Sequence, residues 1–245
     1  MSQAVPREAP LSGQGADTAQ ASMAGKSHFH KGSARMFRSD FLEWFSHVHP
    51  ATPAVLFLPV VAFSVWQAAD RGMAPLALCG LFFAGYALWT LFEYWFHRLF
   101  FHLEVRGAVT ERIYFFLHGV HHDYPWDRSR LVMPPGVSVS LAVIFFALFR
   151  AALGPDAMWA PYGGLVLGYV IYDSVHWYTH AAKPRHWYGK LLRREHLVHH
   201  FKEPTSRFGV SCPWWDHVFR TTGAPADVPA GAPSLSGSAL EDAAR

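Results

Sequence analysis

The chain has 245 residues, the length of one ordinary domain, with 51% hydrophobic and only 16% charged residues. Soluble domains carry about 25% charged residues, so much of the surface is expected to face a solvent other than water, and a net charge of +3 does not by itself imply a nucleic-acid partner. A mean hydropathy of +0.08 requires a sizeable polar part outside any bilayer, and two cysteines, Cys79 and Cys212, exclude a disulfide framework.

Residues 1–35 are rich in Ala, Ser, Gly and Gln without apolar periodicity, and they are expected to be disordered. They lack the apolar core of a secretory signal. From Met36 to Phe45 the pattern changes. Ser39 or Asp40 can cap a short helix with Phe41, Leu42, Trp44 and Phe45 on its apolar side, lying along a membrane interface. An ordinary amphipathic core helix is the alternative.

Four apolar runs follow: Pro53 to Ala69, Ala74 to about Phe96, Val137 to Leu153, and Met158 to about Val175. Each approaches the ~20 residues that cross a hydrocarbon core of about 30 Å. Asp70-Arg71-Gly72-Met73 and Gly154-Pro155-Asp156-Ala157 are tight connections. The runs therefore pair into two helical hairpins that turn on the same side. Arg71 and Arg150 lie near those turns. The opposite side holds Lys26, Lys31, Arg35 and Arg38, then Arg98, Arg106, Arg112, Arg128 and Arg130, then seven cations from Lys183 to Arg207. The positive-inside rule puts that side, with both termini, in the cytoplasm. The expected molecule is all-α: an integral membrane protein with four transmembrane helices in two hairpins and a cytoplasmic, histidine-rich helical cap. It divides into a segment 1–35, a membrane domain 36–222 and a disordered tail 223–245.

Sixteen histidines are an unusual number, and ten of them fall in four short clusters on the cytoplasmic side. These are His97 and His102; His118, His121 and His122; His176 and His180; and His196, His199 and His200. Positions i, i+3 and i+4 share a helix face, so each triad can point one way, as can His176 with His180. His97 and His102 are five apart, which suits a helix end that bends or two ligands serving different metals. Neutral imidazole binds iron, zinc, copper and nickel, and ten imidazoles exceed the shell of one ion but suit two. His28, His30, His47, His49, His186 and His217 stand outside the clusters and read as ordinary surface or supporting residues. His217 is the least settled, because it lies in Trp214-Trp215-Asp216-His217.

The order H-x4-H, H-x2-H-H, H-x3-H, H-x2-H-H resembles the fatty acid hydroxylase and sterol desaturase superfamily. The stretch from Leu117 to Pro135, with Met36 to Trp44 and Tyr172 to His180, is similar to its fatty acid 2-hydroxylase branch. The resemblance spans roughly residues 35–220. It implies all ten clustered histidines as ligands of two iron ions, O2 as co-substrate, and a lipid acyl chain hydroxylated at the α-carbon. A zinc-filled form of the purified protein would be an inactive stand-in, because zinc has no redox chemistry. Many eukaryotic members carry a fused cytochrome b5 domain, whereas this chain has no haem-binding His-Pro-Gly-Gly. A separate redox carrier such as cytochrome b5 or ferredoxin is therefore expected. The compartment would be the inner membrane of a bacterium or the endoplasmic reticulum of a eukaryote.

Two carboxylates stand one helical turn before a histidine. Asp173 precedes His176 by three and Glu93 precedes His97 by four. Each can accept the second imidazole N–H and fix the ring, and an ionisable group in an apolar run is a functional candidate. A helix-end charge reaching water is the alternative for both. Tyr124, Pro125 and Trp126, with Met133, Pro134 and Pro135, are candidates for the mouth of an acyl tunnel or for a loop at the interface. Within the superfamily, sterol or carotenoid oxidation and desaturation are the rival activities. A histidine-rich metal transporter would need ligands along a path through the spans, but these clusters stop at one face. A zinc hydrolase lacks its H-E-x-x-H, since Glu195 precedes His196.

Overall fold

The computed structural model describes His30, residues 32–104 and residues 106–223. The outer parts of the two segments expected to be disordered, residues 1–29 and 224–245, lie outside the described residues. Among the described residues the fold is helical throughout, with no strand.

Helix α1 (Asp40–Ser46) starts at Ser39, whose hydroxyl accepts the Leu42 amide. Its Phe41 and Trp44 are 68% and 70% exposed. Glu43, on the other side, pairs with Arg130. That arginine is buried, and it also donates to Ser46 Oγ, Ser33 Oγ and the Ala34 carbonyl. The His30 amide donates to the Asp123 carbonyl at 2.9 Å. His30, Ser33 and Ala34 are thus held against the segment that follows the first histidine triad.

Helices α2 (Thr52–Asp70) and α3 (Pro75–Phe96) form the first hairpin. Helices α4 (Ala108–Tyr114) and α5 (Val120–Asp123) form the intervening layer, joined by a π-helical turn at Phe115–Gly119. Then come α6 (Pro135–Ala157), α7 (Trp159–Ala181), α8 (Trp187–Phe201) and the short α9 (Trp214–Val218). Prolines 53, 75 and 135 sit in first turns, where a missing amide leaves no hydrogen bond unmade. The hairpin turns carry Gly72 and Gly154 at φ 76° and 77°, backbone that glycine adopts without the penalty of a Cβ. Gly154 breaks the end of α6 and sends the chain back as α7.

Among the described residues, three helices are long and apolar enough to cross a membrane: Thr52–Asp70, Pro75–Phe101 and Arg128–Ala157. The fourth expected span, now α7, is not among them. Its position in the fold explains why. Helix α7 packs against both α2 and α3, and 14 of its residues are buried, Tyr162, Tyr169, Tyr172 and Asp173 among them. A helix wrapped by protein has no lipid to satisfy and can carry tyrosines, glycines and a carboxylate. By contrast Leu76 and Phe83 of α3 are 87% and 67% exposed, as a lipid-facing surface requires. Small residues make the central contact possible. A Cβ on Gly164 would lie 1.8 Å from the Phe82 carbonyl oxygen, and one on Gly85 would lie 1.9 Å from that of Pro161. Close backbone approach of this kind is how helices associate where the hydrophobic effect between them is weak. Around it Phe57, Trp89, Leu165, Val166 and Tyr169 form the core.

Candidate metal centre

All ten clustered histidines converge at one end of the helix bundle, in two groups of five. The first group is His97, His102, His118, His122 and His199. The second is His121, His176, His180, His196 and His200. Within each group one ligand atom per residue lies within 4.8 Å of every other. An ion bound at about 2.1 Å sets opposite ligands about 4.2 Å apart, so both groups have the dimensions of a coordination shell.

Local helix geometry decides which histidine goes where. After α3 the chain widens into a π-helical turn, His97–Phe101, in which the His102 amide bonds the His97 carbonyl. This i to i+5 turn brings two rings five residues apart onto one side, and their Nε2 atoms lie 3.2 Å apart. Both fall in the first group.

The triads depart from the expectation of a common direction. His118 and His122, four apart, join the first group, whereas His121 crosses to the second. His196 and His200 join the second group, whereas His199 crosses to the first. Each group is therefore two close pairs from its own half of the chain plus one histidine lent by the other half. The crossing rings make the contacts: His102 to His199 at 3.0 Å and His121 to His176 at 2.9 Å, Nε2 to Nε2. The rings of His122 and His200 stack at 4.1 Å between centroids, so the two groups abut.

The donor set fits metal ions. Burial, followed by the like charge of neighbouring rings, holds His118, His121, His122, His196 and His200 well below the ordinary imidazole pKa. Burial likewise pushes His199 down to about 4. The rings are therefore neutral, the form that ligates. Nε2 of His118 and of His122 is buried with no hydrogen-bond partner among the described residues. Such orphans are expensive unless something else satisfies them, and an ion at the centre of the group would.

Backbone carbonyls orient three of the rings. His97 Nδ1 donates to the Phe208 carbonyl at 2.8 Å and His199 Nδ1 to that of Ser206 at 2.6 Å. His176 Nδ1 donates to the Leu131 carbonyl at 2.8 Å. This corrects the expected roles of Asp173 and Glu93, because neither carboxylate accepts an imidazole N–H. Asp173 accepts the Met133 amide at 3.2 Å, in the loop that presents Leu131. Glu93 accepts the Ser211 amide at 2.7 Å and hydroxyl at 2.6 Å, in the loop that presents Phe208. A ring that reaches into the centre with Nε2 turns Nδ1 outward to the covering loop. The carboxylate one turn back faces the same loop lower down and takes its amides. Both carboxylates are buried, so neither is a helix-end charge reaching water.

Sequence reasoning missed the carbonyls of Leu131, Ser206 and Phe208, since every residue has one. Of the histidines read as lying outside the clusters, His30, His47, His49, His186 and His217 are in neither group, and His28 is not among the described residues. Met133 joins Phe57, Trp89, Leu141, Phe145 and Tyr169 in lining a narrow apolar slot of about 10 Å³ between α2, α3, α6 and α7.

A model of the family described as fatty acid hydroxylase matches residues 82–221. The chain is 35% identical to the dihydroceramide fatty acyl 2-hydroxylase FAH1 of Arabidopsis thaliana, over 78% of this chain and 81% of that one. It is 38% identical to the ceramide very long chain fatty acid hydroxylase SCS7 of Saccharomyces cerevisiae, over 79% of this chain and 50% of that one. A solved structure described as full-length scs7p, with only the hydroxylase domain visible, superposes with a TM-score of 0.74 at 36% identity. That match covers 80% of this chain and 74% of the other. With four histidine clusters in order, a helical bundle that folds the same way and a family match over most of its described length, the chain belongs to the fatty acid hydroxylase family.

Proposed function

We propose that the protein hydroxylates a lipid acyl chain at the α-carbon, using O2 and two external electrons, at a dinuclear centre held by His97, His102, His118, His122 and His199 on one side and His121, His176, His180, His196 and His200 on the other. The observation that carries this reading is the pair of interleaved five-histidine groups at the end of an apolar helix bundle. The relatives named as fatty acyl 2-hydroxylases support the position of attack. The overall change is balanced: the C–H bond gains one oxygen atom, the other leaves as water, and two electrons and two protons are consumed. Iron, when bound, supplies the redox chemistry that an unactivated C–H bond demands and that zinc lacks.

The residues of the chain do the rest. Ten neutral imidazoles hold the pair, and the Leu131, Ser206 and Phe208 carbonyls fix ring orientation. Asp173 and Glu93 are positioning residues that hold the loops bearing those carbonyls. The slot beside Met133 is too narrow for a hydrocarbon chain as it stands. An acyl tail needs that slot to widen, and the depth the tail reaches would select the α-carbon among the methylenes.

In this reading the molecule crosses the membrane four times, α7 being the protein-wrapped fourth span. Residues 36–222 form the membrane domain, between termini that face the cytoplasm. The histidine-rich cap is cytoplasmic and receives electrons from a separate carrier.

The test is lipid mass spectrometry of purified, iron-loaded protein with a ceramide-type substrate, a reductant system and ¹⁸O2. A 2-hydroxyacyl product carrying one ¹⁸O is expected. Label drawn from water, or a product oxidised at another carbon or on a sterol, overturns the proposal.

A further inference from the structure

The segment Trp214-Trp215-Asp216-His217 has no part in the reading above, yet Asp216 is 3% exposed. Its carboxylate is filled. Oδ1 accepts the Phe208 amide at 2.8 Å and the Thr221 hydroxyl at 2.8 Å, and Oδ2 accepts the Gly209 amide at 2.8 Å. The fit is tight: a side chain on Gly209 would meet Asp216 Oδ2 at 2.9 Å. Just before these amides, Arg207 stands at φ 61°, a conformation that a residue with a long side chain keeps only when its surroundings impose it. The Arg207 amide donates to the Thr221 carbonyl at 2.8 Å, and its guanidinium pairs with Glu195 and Glu203.

On either side of that bend lie the two carbonyls that matter. Ser206 accepts from His199 and Phe208 accepts from His97. Both rings belong to the first histidine group. The loop after the first triad has a similar device. Asp127 accepts the Ser129 amide at 3.1 Å and its hydroxyl at 2.6 Å, in the loop whose Leu131 carbonyl takes His176.

We propose that Asp216 is a positioning residue for the first metal site alone. By holding the Phe208 and Gly209 amides it keeps the bend at Arg207 and aims two carbonyls at Nδ1 of His97 and His199. Both rings then turn Nε2 to the ion. The inference rests on the two-site reading above. An asparagine at this position keeps the shape but sets an NH2 group against one of the two amides, so the loop loses an anchor and the rings lose their fixed tautomer. Outer partners of metal-binding histidines are worth 10- to 100-fold in affinity.

The experiment titrates full-length, chelator-stripped protein with zinc and counts bound metal by elemental analysis. Wild type should take up two equivalents. Asp216→Asn should raise the dissociation constant of one site by about 10- to 100-fold and leave the other unchanged. His199→Ala should weaken the first site, and His199→Ala with Asp216→Asn should leave the second site at its wild-type affinity. Two unchanged sites in Asp216→Asn overturn the proposal. So does weakening of the second site in the double variant, because Asp216 would then support the whole protein rather than one site. If Asp216→Asn does not fold, Thr221→Val removes one donor to the carboxylate and should weaken the first site several-fold, and unchanged affinity there overturns the proposal. Wild type taking up one equivalent overturns the two-site reading itself, and the inference falls with it.

Discussion

A ligating imidazole commits one nitrogen to the metal and needs an acceptor for the other, and that second bond sets the direction of the first. In this chain the acceptors are carbonyls on two loops, with Asp173 behind one and Glu93 behind the other. Asp173→Asn retains one acceptor for the Met133 amide but removes the charge that strengthens it. Metal affinity at the group containing His176 is expected to fall by roughly 10- to 100-fold, with helix content preserved. His176→Ala should do worse, since a ligand is gone. Metal content of both variants beside wild type at matched expression measures this, and full occupancy in Asp173→Asn would leave the residue without a positioning role. The histidines were legible from type and spacing alone, because few residues other than clustered imidazoles serve as neutral ligands. Their division between two groups was not. A spacing of three or four says that rings share a face, and it is silent on which neighbour each ring meets.

At the scale of elements, the π-helical turn at His97–Phe101 and the contact between α3 and α7 do the most. The turn explains a spacing of five that an α-helix cannot place on one side. The contact explains why the fourth apolar run reads weakly as a membrane span. Gly164→Ala should test it. The added methyl would fall 1.8 Å from the Phe82 carbonyl oxygen, a backbone atom that no rotamer change can move. Overpacking typically costs about 1–3 kcal/mol, and this site belongs at or beyond the upper end. Gly80→Ala is the control: a methyl there meets nothing within 4 Å, and in a helix alanine is favoured over glycine by about 1 kcal/mol. Thermal unfolding in detergent should separate the two variants clearly. Equal stability would mean that the helices do not approach as closely as described.

The whole molecule is two similar halves that exchange parts. Each half is a helical hairpin, a histidine pair at its end and a triad beyond. Each triad lends one ring to the other half's group, and each half's buried carboxylate holds the other half's loop. The halves should therefore unfold together. A chelator-stripped sample is expected to melt well below the metal-loaded one in a single transition, and two separate transitions would show the halves to be independent. The four-span topology is tested by reporter fusions at Thr222 and at Gly154, expected on opposite sides with Thr222 cytoplasmic. A cytoplasmic signal from Gly154 would overturn the hairpin arrangement.

Composition, charge asymmetry and four histidine clusters were enough to determine a helical membrane protein with a metal-binding face, because each is a property of residue type and periodicity along one element. Pairing of rings across halves, the close backbone contact at Gly164, and the carbonyls that aim His97, His176 and His199 were decided only by the tertiary structure. They are relations between segments tens of residues apart. Several also rest on backbone atoms that every residue shares, so no residue type marks them in advance.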